Sequence, residues 1–537
     1  MIRVMKRIII LFVALFLGVC LFNSCEKAPE IVTVTFDANG GRFADGTATR
    51  QVNGEVGSAL TSPDAPVWDD AHTFQGWEPA VPAKFPETAA TYKAKWSEVR
   101  VKVTFDANGG KFSDGSTTIT LEGLVGAALT GTPADPTWDE YHTFKSWDPS
   151  VPKSFPATDT KFTAQWEAHT VKVIFKAFGG KFADGKNTFV VEGVPGEAVN
   201  LPAAPVWGSN HFAGWNSTVS VIPEEETVVK AIWDSMEFTV SGADVTSSFK
   251  LIRVKAGKYY VGSPDTEPAH LDDEFRHEVT FTKDFYIGET EFTQGAWTAV
   301  AGSNPSWWTN GRGGVAKNTE NYPVENITWF EICGEKADYG EDSFMYKLKM
   351  AVKETMGEEL DFRLPTEAEW ETACRGGQTQ SLPFGIGTGR CLYWYMANFG
   401  AADCAYDMDK SDKWDGYVED DEAEFVGTTL PVKYYKDYPN GYGLYDMHGN
   451  VAEWCWDWYD EAYYSSTEAT LDPQGISAPG SFGNVKVLRG GWGLPFDGEA
   501  ATCRSAFRKT FPVIDKNPSA TKGGAIGFRL CMTGFNK

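Results

Sequence analysis

The residues of this 537-residue chain best equipped for chemistry are its nine cysteines, and their placing limits what they can do. Cys20 lies within an apolar N-terminal run and Cys25 follows it. The other seven (Cys333, Cys374, Cys391, Cys404, Cys455, Cys503 and Cys531) all stand in the C-terminal half. Seven is odd, so at least one thiol stays unpaired within the chain. No Cys-x-x-Cys and no Cys/His zinc spacing occurs. Other reaction centres are missing too. Gly385-Ile-Gly-Thr-Gly389 lacks the Lys-Ser/Thr of a phosphate cradle, and no Gly-x-Ser-x-Gly nucleophile turn is present. There is no three-histidine cluster for non-haem iron. Acidic pairs are too numerous to nominate one acid–base couple.

The elements that must position these residues fall into two kinds. Val34-Thr-Phe-Asp-Ala-Asn-Gly-Gly41 recurs as Val103-Thr-Phe-Asp-Ala-Asn-Gly-Gly110 and as Val173-Ile-Phe-Lys-Ala-Phe-Gly-Gly180, a period of 69 then 70 residues between Phe36, Phe105 and Phe175. Each copy carries three tryptophans in register: Trp68, Trp77 and Trp96; Trp138, Trp147 and Trp166; Trp207, Trp215 and Trp233. Alternation running into Gly-Gly predicts strands and tight turns. Repetition of the same tryptophans fits core packing better than sugar stacking, and His72 and His142 read as structural residues. From about 236 the chain is irregular, with two predicted helices. One runs Pro365–Arg375, with Thr366 and Glu369 as a capping box and Gly376-Gly377 as the stop. The other runs Ser343–Met356, with Phe344, Leu348, Ala351 and Val352 on one face.

The balance of 48 basic and 73 acidic residues gives a net charge of −25, which argues against nucleic acid as a partner. Arg3, Lys6 and Arg7 precede an apolar run, Ile8–Phe22, too short to span a bilayer comfortably. With Asn23-Ser24-Cys25 after it, this segment resembles a bacterial lipoprotein signal whose lipidated residue is Cys25. That resemblance implies an exported protein held at the membrane by a lipid anchor, in the outer membrane or on the cell surface of a Gram-negative bacterium.

The repeats resemble the internalin-type B repeat, which implies small β-grasp-like α+β modules. The C-terminal half resembles the formylglycine-generating, or sulfatase-modifying-factor, superfamily. The motifs are Val254-Lys-Ala-Gly-Lys-Tyr-Tyr-Val-Gly262, Ile287-Gly-Glu-Thr-Glu-Phe-Thr293, Pro323-Val-Glu-Asn-Ile-Thr-Trp329, Arg363-Leu-Pro-Thr-Glu-Ala-Glu-Trp370, Gly443-Leu-Tyr-Asp-Met-His-Gly-Asn-Val-Ala-Glu-Trp454, and Leu488-Arg-Gly-Gly491 through Gly527-Phe-Arg529. The expected organisation is a signal at 1–24, an anchor and linker at 25–30, repeats at 31–98, 99–168 and 169–235, and a C-type-lectin-like α+β domain at 236–537.

Members of that superfamily use two cysteines and copper to oxidise a sulfatase cysteine. A gapless match from Gly491 to Arg504 puts those positions at Pro495 and Ala500, and the serine after Gly-Gly at Trp492. None of these side chains binds Cu(I), so copper is not expected and catalysis is not expected. The resemblance implies calcium at two sites. One is Asn398 and Asp415 with the carbonyls of Phe399 and Tyr417; the other is His448, Gly449, Asn450, Val451 and Glu453, with Glu453 as carboxylate. It implies disulfides between Cys374 and Cys503 and between Cys333 and Cys531. Trp492, Phe496, Arg508 and Phe511 are candidate contacts for an unknown glycan or protein ligand. The leading expectation is a lipid-anchored protein displaying a non-catalytic binding domain on a repeat stalk. The rivals are a sulfatase-modifying oxidase, a retroelement-diversified receptor, and a structural lipoprotein of an envelope complex.

Overall fold

A computed structural model describes residues 28–309, 318–334, 338–400, 404–410, 415–419, 426–465, 467–491, 499–513 and 525–534. Cys25 lies outside them. The chain forms two compact units, Met1–His169 and Thr170–Lys537. No helix among the described residues is long and apolar enough to cross a membrane.

Each repeat is a four-stranded mixed sheet. In the first, the order is Thr49–Glu55, Ile31–Asp37, Ala90–Glu98, His72–Glu78, with the two central strands parallel. The other two copies share this order. The α+β expectation for the repeats is corrected here: no described residue of a repeat is helical. The crossover from strand two to strand four contains Pro63, Pro66, Pro79, Pro82 and Pro86, which deny it helical φ/ψ and amide donors. The core of the first repeat is built on Val34, Phe36, Ala38 and Phe43, with Trp77 edge-on to Phe36 at 4.9 Å. Trp96 donates its indole N–H to the Ala38 carbonyl at 3.1 Å. Trp68 and Trp138 keep 42% and 45% exposure, so these two are flank rather than core.

Repeat 3 belongs to the second unit. Phe178, Ala231 and Trp233 share one cluster with Met236, Phe238, Trp329, Leu348 and Phe528. The boundary expected at 235/236 therefore falls inside a continuous core. Two substitutions in the repeat make this possible. Phe178 replaces the turn asparagine, and all three residues keep the left-handed conformation (Asn39 φ 46, Asn108 φ 47, Phe178 φ 49). Asn39 and Asn108 donate to carbonyls of their own repeats at 2.9 Å, whereas Phe178 is buried in the shared core. Lys176 replaces Asp37 and Asp106, and pairs with Glu358 at 2.8 Å.

Beyond the repeat, a five-stranded sheet runs Ser235–Ser241, Thr246–Val254, Phe285–Gly288, Cys531–Thr533, Phe362–Arg363. The last strand of the chain is thus inserted between two earlier ones. A four-stranded sheet orders Lys509–Pro512, Val485–Arg489, Ala452–Trp458 and Ile526–Gly527. Helix Phe344–Met356 starts at its Ser343 cap, and helix Glu367–Cys374 has both halves of the Thr366/Glu369 capping box. Residues 376 and 377 then take positive φ, which glycine adopts without strain.

Candidate functional site

The site is framed by helix Glu367–Cys374 and by strand Val485–Arg489 with Gly490 and Gly491 after it. Capping fixes where the helix begins, and the i,i+4 spacing then puts Glu367 and Glu371 on one face. Arg489 bridges them, at 3.0 Å to Glu367 and 2.5 Å to Glu371. Arg375 holds Glu371 at 2.7 Å, and Arg508 grips both oxygens of Glu367 at 2.8 Å. Burial pushes both carboxyls up, but the neighbouring guanidiniums outweigh it and hold them below the ordinary value. Arg504 is held in the same way by Glu267 and Glu274 at 2.8 Å. Arg508, expected as a ligand contact, is corrected by this geometry: its guanidinium is buried and also donates to the carbonyls of Asp273 and Asp460. Phe511 is half-buried, edge-on to Trp454 at 6.0 Å. Trp492, Pro495 and Phe496 lie outside the described residues.

Ala500, the position matched to the second copper cysteine, begins the short helix Ala500–Cys503 and packs in an apolar cluster with Phe384, Met396, Phe399 and Tyr406. The two implied disulfides are not formed; Cys333, Cys374 and Cys531 are free thiols. The His448 ring touches both Cys374, at 3.7 Å from Sγ, and the Cys503 carbonyl, at 2.8 Å. Cys333 and Cys531 belong to different core clusters, and Cys531 faces Glu369 at 3.7 Å. Burial raises the thiols of Cys333, Cys455 and Cys531 well above the usual range and pushes Cys374 up to about 12. Thiolate chemistry needs the opposite shift. Gly491 has φ 81, and a Cβ there would come within 2.3 Å of the Cys503 sulfur, so the loop entry is packed directly on this buried thiol.

His448 uses its ring as a strut. Nδ1–H donates to the Cys503 carbonyl, and Nε2 accepts from Gly385 N–H at 2.9 Å. Burial lowers its pKa to about 4, fixing the neutral form.

The residues of the second calcium set do not fit a cation. Glu453 accepts Arg529 on both oxygens at 2.7 Å and the Trp370 indole N–H at 2.7 Å. The cation that Glu453 holds is thus the Arg529 guanidinium. Asn450 Oδ1 accepts from Asn398 and from Leu430, while its amide donates to Glu291. The first set fits better. Asn398 spends its side-chain N–H groups on Thr428 and Asn450, and among the described residues its Oδ1 accepts no hydrogen bond. Asp415 uses Oδ1 for the Tyr417 amide at 3.1 Å. Phe399 and Tyr406 share one apolar cluster, Tyr406 pairs with Tyr417, and Gly416 packs on the Tyr406 ring. Both halves of the set are therefore tied to Tyr406.

Sequence reasoning missed the buried arginine–carboxylate frame, although Arg363, Arg489 and Arg529 stand inside the quoted motifs. It also missed Lys486, whose Nζ lies over Trp458 at 3.7 Å, Trp329 at 4.1 Å and Trp456 at 5.2 Å and donates to the Trp456 carbonyl. Burial lowers it to about 8. The signal that could have found these was the presence of charged residues inside apolar strands.

Residues 237–533 match the sulfatase-modifying factor enzyme 1-like domain. The chain belongs to that family. Within it, the chain is 33% identical over 240 residues to a formylglycine-generating enzyme of Streptomyces coelicolor, covering 42% of this chain and 60% of that protein. It is 33% identical over 241 residues to the chaperone protein LppX of Paenibacillus barcinonensis, covering 41% of this chain and 75% of that one. Among solved structures it is similar to Treponema denticola variable protein 1, at 27% identity and a TM-score of 0.37, covering 55% of this chain and 99% of that chain. Residues 33–81 match the Listeria-Bacteroides repeat domain. This sulfatase-modifying-factor-like chain thus joins N-terminal repeated β domains to one family domain.

Proposed function

We propose that this family member is a lipid-anchored envelope protein whose C-terminal domain binds a glycan or protein ligand and does not oxidise sulfatases. The observation that carries the reading is Ala500 in an apolar cluster where a copper cysteine would be needed, with Pro495 at the other position. The buried, proton-retaining thiols of Cys333, Cys374, Cys455 and Cys531 support it, because a soft metal is held by thiolates. The similarity to both a formylglycine-generating enzyme and a protein named as a chaperone agrees with a family whose members differ in role. Cys25 is the proposed lipidation site and the repeats the spacer. Their 2-1-4-3 strand order supports a β-grasp relationship without the helix, and the irregular C-terminal domain of several small sheets is read as C-type-lectin-like. Calcium in the first set would be held by Asn398, Asp415 and the carbonyls of Phe399 and Tyr417, and would lock two loops together as a hard cation among oxygens.

Two measurements test this. A Cys-x-Pro-x-Arg peptide incubated with the protein and Cu(I) is expected to yield no aldehyde; aldehyde that disappears in Cys503→Ser would overturn the reading. Millimolar Ca²⁺ is expected to raise the melting temperature of the parent, and Asp415→Asn to remove most of that rise, on the order of 1–3 kcal/mol. A parent indifferent to Ca²⁺ would remove calcium from the proposal.

A further inference from the structure

The three repeats supply an internal comparison at one position. Trp68 and Trp138 each carry a histidine laid flat over the indole, His72 at 3.8 Å and 12°, His142 at 4.0 Å and 17°. Each imidazole is held there by an aspartate, Asp69 at 2.5 Å and Asp139 at 2.7 Å. Both indoles also lie against the turn glycine, Gly40 or Gly109, where a Cβ would approach to 2.8 Å. These two rings are thus engaged by their own repeats and are poor platforms for anything else.

Repeat 3 departs from this at one residue. Gly208 stands where the other copies have aspartate. His211, without that anchor, pairs with Asp234 at 2.8 Å and leaves 78% of its side chain exposed. Trp207 keeps its glycine, Gly179, but no histidine stacks on it. Its aromatic neighbours are Trp233 at 5.6 Å and Phe238 at 5.9 Å, both steeply inclined. Trp207, partly buried against the shared core, lines a groove of about 380 Å³ between the repeat and the five-stranded sheet, a size suited to a small ligand. Asn187, Glu237, Thr239 and Lys181 also line it, offering an amide, a carboxylate, a hydroxyl and an ammonium group.

This mixture selects a ligand class. A lipid would need a mainly apolar lining, and a polyanion would meet the Glu237 carboxylate. A pyranose satisfies both halves: its C–H face packs on an indole, and its hydroxyls donate to carboxylate and amide oxygens. We propose that this groove binds a neutral or N-acetylated saccharide, with Trp207 as the stacking ring and Glu237 and Asn187 as hydroxyl partners. None of the residues lining the groove belongs to the copper-position or calcium sets, so it stands or falls independently of the reading above.

The test uses the full chain titrated with a panel of neutral and N-acetylated hexose disaccharides and tetrasaccharides, read by saturation-transfer NMR and tryptophan fluorescence. At least one sugar is expected to saturate below about 10 mM. That binding should weaken roughly tenfold or more in Trp207→Ala and about threefold in Glu237→Gln, and stay unchanged in Trp138→Ala. Glu237 is exposed, so its variant keeps the test decisive if Trp207→Ala fails to fold. Absence of saturable binding overturns the proposal. So does parental affinity in a folded Trp207→Ala or, where that variant does not fold, in Glu237→Gln.

Discussion

The buried arginines of the second unit, Arg375, Arg489, Arg504, Arg508 and Arg529, are each paired with a carboxylate, and the pairing decides which of them are free to meet a ligand. Arg508 shows the consequence. As a sequence residue it suggests an anchor beside aromatic neighbours, yet its guanidinium is consumed by Glu367 and two carbonyls. Unpairing such a group leaves a buried charge uncompensated, which outweighs any single surface contact. His448 makes a testable case, because its folded pKa of about 4 lies below the ordinary 6.5. Between those values the unfolded chain binds a proton that the folded chain refuses, so stability falls as pH drops from about 6.5 to about 4. The loss approaches roughly 3 kcal/mol if no rearrangement relieves it. Urea titrations across that window should show the slope in the parent and a flatter profile in His448→Gln. Equal slopes would mean that other groups govern acid sensitivity.

Among elements, the turn of repeat 3 is the clearest instance of one position changing a module's use. A phenylalanine at φ 49 is strained where asparagine is at ease. It persists because burial in the shared core more than offsets the strain. Phe178→Asn restores the residue of the other repeats and relieves that strain of about 1 kcal/mol. It also removes a core aromatic, at about 3–5 kcal/mol. The expected net loss is about 2–4 kcal/mol, seen as a lower urea midpoint for the second unit. A midpoint equal to or above the parent's would show that the Phe178 contact contributes little. The matching exchange in the first repeat, Asn39→Phe, should destabilise that repeat, because its ring gains no shared core.

At the scale of the molecule, repeat 3 is part of the folding unit that carries the family domain. Trp233 is fully buried and its carbonyl accepts the Tyr286 hydroxyl at 2.9 Å. A protein beginning at residue 236 would expose the apolar surface that Trp233 and Phe178 cover. It should be less stable than one beginning at Thr170 by at least about 3 kcal/mol. Comparing the two by chemical denaturation decides the matter. Coincident transitions would return the boundary to 235/236.

Much of this was legible before any coordinates. The repeat period, the Asn-Gly-Gly turns, the Thr366 capping box, the Ser343-capped helix and the order of the family motifs are local features set by φ preferences, hydrophobic spacing and short-range hydrogen bonds. The missing copper cysteines are equally a property of the sequence, since a side chain without sulfur cannot become a thiolate. Only the tertiary structure decided which of two chemically competent groups meets a given partner. Glu453 is matched by a guanidinium 76 residues away, Cys374 and Cys503 both contact His448, and Trp207 has lost its histidine to Asp234. Such outcomes depend on which segments are brought together in space, and a one-dimensional pattern carries no term for the competition between partners distant along the chain.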